Sequence, residues 1–155
     1  MGRARLRRLE FVFPSAPIYF ITACTHYRRK LLNCDVVHEA FLAFLRQAAR
    51  RGIFVGRYVL MPDHLHLFAA FAPRAGSLSA WIKSLKNFLS MKLRELETPG
   101  PHWQKGFFDH VMRSRESYAE QWQYVTNNPV RAGLVARAEA WPFQEEVHPM
   151  MFPQG

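Results

Sequence analysis

Cysteine is nearly absent from this 155-residue chain: two residues, Cys24 and Cys34, with no Cys-x-x-Cys spacing. That excludes a disulfide framework and a thiolate zinc site, and it fits a reducing cytoplasm. Acidic residues are also few, 12 against 21 Lys and Arg, which leaves a formal net charge of +9. No apolar run approaches a membrane span. No segment carries cations on one face and a broad free apolar surface on the other, so a membrane partner is not expected. Repeats and low-complexity stretches are missing. The basic stretch Arg3 to Arg8, followed by apolar Phe11 to Cys24, imitates a secretory signal. Pro14 and Pro17 interrupt it, and Ile18-Tyr19-Phe20-Ile21-Thr22 reads as a strand instead.

What is present suits one folded domain over residues 1–155, with a basic arm at 1–10 and a C-terminal tail at 136–155. Hydrophobic residues make up 49% and aromatics 14%, enough for a core and too much for disorder. The positive excess points to a polyanionic partner, nucleic acid first; by itself it equally describes a basic protein without one.

The apolar periods give an element order. Residues 18–25 form a strand. Asn33-Cys34-Asp35 starts a helix that closes at Arg50-Arg51-Gly52, with cations in its last turn and glycine beyond. Residues 53–60 and 64–70 are strands separated by Met61-Pro62-Asp63. Ser77 caps a second helix that ends at Thr98-Pro99-Gly100-Pro101. Phe107 to Arg113 is a fourth strand, and Ser114 caps a third helix that stops before Pro129. The order β-α-β-β-α-β-α predicts an α+β, ferredoxin-like plait: a four- to five-stranded, mostly antiparallel sheet with helices on one face.

Three features carry chemistry. His64-Leu65-His66 places two imidazoles on one face of a strand, where a divalent ion fits. Alone, the pattern also describes two surface histidines. A cupin reading fails because no glutamate follows until Glu95. Tyr124 and Asn128 stand one helical turn apart, so a phenol and an amide project together. Alone, they also describe a packing tyrosine and a helix end. Tyr118 is a reserve nucleophile on another helical face. Finally, Lys83, Lys86, Trp103, Lys105 and Arg113, with Arg3 and Arg5 in the arm, are candidates for phosphate neutralisation and base stacking. The alternatives are a solvated helix face for the two lysines and a core position for Trp103.

Taken in order, several blocks resemble the REP-associated tyrosine transposases, relatives of the small single-tyrosine HUH transposases. They are Tyr19-Phe20-Ile21-Thr22, Met61-Pro62-Asp63-His64-Leu65-His66, Trp103-Gln104-Lys105-Gly106-Phe107-Phe108-Asp109-His110 with Arg113, and Tyr124 through Val135. The resemblance spans residues 18–143 and places the histidine pair on a central strand. It implies Tyr124 as nucleophile, and His64, His66 and Asn128 as ligands of a divalent ion, Mg²⁺ or Mn²⁺. Asn128 stands where related transposases carry glutamine, and Asp63 is a candidate support for a histidine. The implied substrate is single-stranded or hairpin DNA, nicked and rejoined through a 5′-phosphotyrosine. The implied setting is the nucleoid in the cytoplasm, and the implied state a monomer or homodimer. A free tyrosine ionises at about pH 10, so a nearby cation is expected to prepare the phenol.

Overall fold

The computed structural model describes residues 17–151. Strand β1 (Ile18–Cys24) leads through a short 3₁₀ turn at His26–Arg28 to helix α1 (Asp35–Ala48). Strands β2 (Ile53–Leu60) and β3 (His64–Phe71) form a hairpin, followed by helix α2 (Leu78–Glu95) and strand β4 (Phe108–Met112). Helix α3 (Arg115–Thr126), the four-residue helix α4 (Asn128–Arg131) and strand β5 (Gln144–Glu146) complete the order. The sheet is antiparallel throughout, in the order β4-β1-β3-β2-β5. Its first four strands, β4-β1-β3-β2, form the ferredoxin-like plait expected from the sequence, and β5 extends it. Among the described residues no helix is long and apolar enough to cross a membrane.

The strand alternation feeds two cores. Ile21, Ala23, Leu65, Leu67, Ile53 and Val55 pack beneath α1 and α2. Ile18, Phe20, Phe68, Val59 and Ala70 pack on the other face, beneath Val125 of α3 and Trp141. Helices therefore lie on both faces, not on one as the sequence order suggests. The third helix has its own apolar positions, Tyr118, Trp122 and Val125, and these need a separate surface to cover.

A bulge keeps β2 useful to both cores. Its register with β3 shifts between Val55 and Tyr58, so Val59 joins the second core while Tyr58 joins the first. Gly56 in the bulge meets Met150 so closely that a Cβ there would stand 2.9 Å from the sulfur. Arg57 then ties three elements together. It donates to Thr126 Oγ1 of α3 at 2.7 Å and to Gln144 of β5, and its guanidinium covers the Trp122 ring at 4.5 Å.

Candidate metal and nucleophile site

The second face of the sheet holds the histidine pair. His64 and His66 lie on β3 opposite Cys24 and Thr22 of β1, and their ring centroids are 4.7 Å apart. The hairpin loop that precedes them is fixed by backbone bonds. Met61 N–H donates to His64 O at 2.8 Å, and Thr25 N–H donates to Asp63 O at 3.0 Å.

Each imidazole is oriented through Nδ1. In His64, Nδ1 meets Asp63 Oδ1 at 2.7 Å and an Arg28 guanidinium nitrogen at 3.2 Å. Arg28 in turn donates to Asp63 Oδ2 at 3.0 Å. Burial pushes the Asp63 carboxyl up, but the bonds from His64 and Arg28 outweigh it and hold it below the usual carboxylate range. Asp63 is therefore an anion at neutral pH, suited to accept the His64 Nδ1 proton. In His66, Nδ1 meets Thr22 Oγ1 at 2.8 Å, and the ring stacks on Phe20 at 5.2 Å. Burial lowers His66 to about 3, so this imidazole is neutral. The Arg131 charge acts in the same direction.

With both Nδ1 atoms engaged, the Nε2 atoms are left for the site. His64 Nε2 stands 3.1 Å from Asn128 Oδ1. This is hydrogen-bonding distance, and the same two imidazoles and amide oxygen are a donor set that suits a divalent ion with further positions open. Among the described residues no group of three His, Cys, Asp or Glu side chains could hold a metal. The third polar group beside the two imidazoles is the Asn128 amide.

Asn128 reaches the histidines because the chain breaks just before it. Ser114 and Ser117 form a capping box that starts α3. Asn127 leaves helical geometry at ψ 0, and α4 begins with Asn128-Pro129. Proline lacks the N–H that a continuous helix needs at this point. The expected single helix is thus two, but the turn persists through the Asn127 N–H bond to Gln123 O and the Arg131 N–H bond to Asn127 O. Tyr124 is 58% exposed. Its ring lies under Arg131, whose guanidinium carbon is 3.6 Å from the ring centroid.

The structure thus gathers His64, His66 and Asn128, with Tyr124 one turn earlier. The basic candidates are placed differently. Arg113 is exposed at the end of β4 and lines a cavity with Tyr124. Lys83 and Lys86 belong to α2, across the sheet from the histidines. Lys86 donates to Gln104 O at 3.0 Å and to Gly106 O, and burial lowers its pKa. Its ammonium stitches a loop to α2. Trp103 likewise donates to Lys86 O at 3.1 Å and, half-buried, packs on the first core, which anchors this loop. Lys105 is exposed. Arg3 and Arg5 lie outside the described residues. Tyr118, the reserve nucleophile, turns its ring onto Phe68 at 4.9 Å, and burial raises its pKa.

Sequence reasoning missed Thr22, Arg28 and Arg131. Arg131 follows Asn128 by three positions, a spacing that shares its helical face and was open to detection. Arg28 gave no signal: it points to Asp63 because Tyr27 and Arg28 both adopt positive φ, 51° and 56°.

The family model described as "Transposase IS200 like" matches residues 15–128. A putative REP-associated tyrosine transposase of Haemophilus influenzae is 23% identical, with 92% of this chain and 88% of that protein covered. The REP-associated tyrosine transposase of Escherichia coli K12 is 24% identical, covering 81% of this chain and 73% of that one. The solved structure of a REP-associated tyrosine transposase bound to a REP hairpin superposes with a TM-score of 0.69 at 22% identity. That superposition covers 83% of this chain and 75% of the other.

Proposed function

The chain belongs to the IS200-like transposase family, and from that premise we propose that it nicks and rejoins hairpin or single-stranded DNA through a covalent bond to Tyr124. One observation carries this reading: the 3.1 Å approach of Asn128 Oδ1 to His64 Nε2, which sets the helix turn bearing Tyr124 against the histidine strand. The hairpin comes from the similar protein whose structure contains a REP hairpin. The net charge of +9 suits a polyanion.

The Tyr124 oxygen attacks phosphorus after its proton passes to solvent. A Tyr–phosphate bond forms and the bond to the 3′-oxygen breaks. The 3′-oxygen takes a proton and leaves as a hydroxyl. Because the phosphoester is conserved, a 3′-hydroxyl from another strand reverses the attack and joins without ATP. His64, His66 and Asn128 would hold a divalent ion, Mg²⁺ or Mn²⁺, which when bound polarises a non-bridging phosphate oxygen. Thr22 and Asp63 fix the two rings, and Arg131 fixes the phenol.

The test is incubation of the protein with labelled hairpin and single-stranded DNA plus Mn²⁺ or Mg²⁺, then denaturing gels and peptide mass mapping. The expected result is an adduct on Tyr124 that is absent from Tyr124→Phe. Cleavage without an adduct would assign hydrolysis by water. Tight binding with neither product would assign a hairpin-binding module.

A further inference from the structure

The open edge of the sheet presents a feature that neither the fold nor the metal site requires. Strand β4 is an edge strand, and Phe108 to Val111 are all exposed. Of the adjacent phenylalanines, Phe107 packs against the first core, whereas Phe108 is 62% exposed. Strand alternation puts Phe108 and His110 on the same face as the histidine pair. In register, Phe108 opposes Thr22, the residue bonded to His66, and His110 opposes Phe20, the residue stacked on His66.

Two cavities meet there. One, of about 440 Å³, is bounded by Phe20, Thr22, Phe108 and His110. The other, of about 530 Å³, runs from His110 past Arg113 to Tyr124. His110 lines both, so the two cavities adjoin along the sheet edge between the candidate nucleophile and the exposed aromatic; Asp109 also lines the first and Glu120 the second. The edge has an arginine near its nucleophile end and a phenyl ring at its far end. The pair offers a single strand one phosphate contact and one base contact.

We propose that this edge is a nucleobase-stacking subsite: the unpaired strand flanking the scissile phosphate passes Arg113 and His110, and one base stacks on Phe108. The proposal rests on the DNA-nicking reading above. It adds where the flanking strand lies, and it makes Phe108 a binding residue for a base, indifferent to which base because every base has a π-face. A second copy of the chain pairing along the β4 edge is the competing occupant.

The test uses the full chain and hairpin DNA with unpaired flanks, carrying 2-aminopurine at each flanking position in turn. Wild type is expected to quench the probe at one position. Phe108→Ala should abolish that quench and weaken binding about five- to a hundredfold, with melting temperature unchanged because the ring is exposed. Phe108→Trp should restore both. Full affinity and an unchanged quench in Phe108→Ala, with the Tyr124 adduct still formed, would overturn the subsite and leave the nicking reading intact. A wild-type protein that neither binds nor cuts these DNAs would overturn both. Sedimentation showing a dimer that Phe108→Ala dissociates, with DNA affinity unaltered, would assign the edge to a second copy.

Discussion

The guanidinium of Arg131 lies against the Tyr124 ring, 3.6 Å from its centroid, and joins the exposed tyrosine to the same short helix that carries Asn128. An exposed phenol on a helix ordinarily samples several rotamers. Here one of them is held by a cation that also bears electrostatically on His66.

Arg131→Ala should therefore slow nicking without moving the attachment site. A cation–π contact is worth about 0.5–2 kcal/mol depending on exposure, which converts to about two- to thirtyfold in rate. Single-turnover cleavage with excess enzyme reads this directly, and mass mapping should still find the adduct on Tyr124. Arg131→Lys should recover part of the loss. A rate equal to wild type would remove Arg131 from the positioning of the nucleophile.

Thr22 is not itself a candidate ligand, yet its hydroxyl bonds Nδ1 of the candidate ligand His66 at 2.8 Å and so orients the ring. Thr22→Val keeps the shape and removes the bond. Loss of such an outer partner typically lowers metal affinity about 10–100-fold. Mn²⁺ titration followed by electron paramagnetic resonance should show that loss in Thr22→Val and near-normal binding in Thr22→Ser. Equal affinities would mean that stacking on Phe20 alone orients the ring.

Much of this arrangement was legible in the sequence because it depends on short periods. The two-residue spacing of His64 and His66 fixes a strand face, and the apolar stripe of residues 78–93 fixes α2. The Ser114 cap and Pro129 bracket the tyrosine helix. What the sequence could not show depends on long-range contacts. Lys86 looks like a solvated cation until the loop carrying Gln104 and Gly106 closes over it. Trp103 looks like a stacking ring until its N–H is seen on Lys86 O. The split of helices between two sheet faces is set by which apolar stripe finds which side, and no local period records that. Strand β5 has three residues and no alternation to detect; it exists because β2 offers it an edge.

His38 gives the fold a pH dependence. Its Nε2 lies 2.6 Å from the Tyr58 hydroxyl, and burial lowers its pKa below the ordinary 6.5. A depressed folded value favours the neutral ring, so this contribution is whole above about pH 6.5 and is lost as pH falls toward the folded value. Urea unfolding of metal-free protein at pH 7.5, 6 and 5 should show decreasing stability. His38→Gln, which retains an acceptor for Tyr58, should show a shallower decline. His66, held at about 3 by burial, contributes in the same direction. Identical slopes in the two proteins would exclude His38 as a contributor.

Trp141 separates stability from chemistry. It lies far along the chain from either candidate motif, but it is only 7% exposed and shares the second core with Val125, the neighbour of Tyr124. Its indole N–H donates to Leu60 O at 3.1 Å, and its ring meets Phe143 edge-on at 5.3 Å. Trp141→Ala should cost about 3–5 kcal/mol, a large part of a typical total of about 5–15 kcal/mol. Trp141→Phe keeps most of the packing and leaves Leu60 O without this donor, so it should cost about 1–3 kcal/mol. Chemical denaturation measures both. Since Trp141 bonds Leu60 O and packs on Phe143, adduct formation per folded molecule at low temperature should stay near wild type in Trp141→Phe. Tyr124→Phe should show the opposite pattern, with stability kept and the adduct abolished. If Trp141→Phe instead lost the adduct at full stability, the C-terminal segment would have to act on the site directly, and Val125 would be the first place to look for the connection.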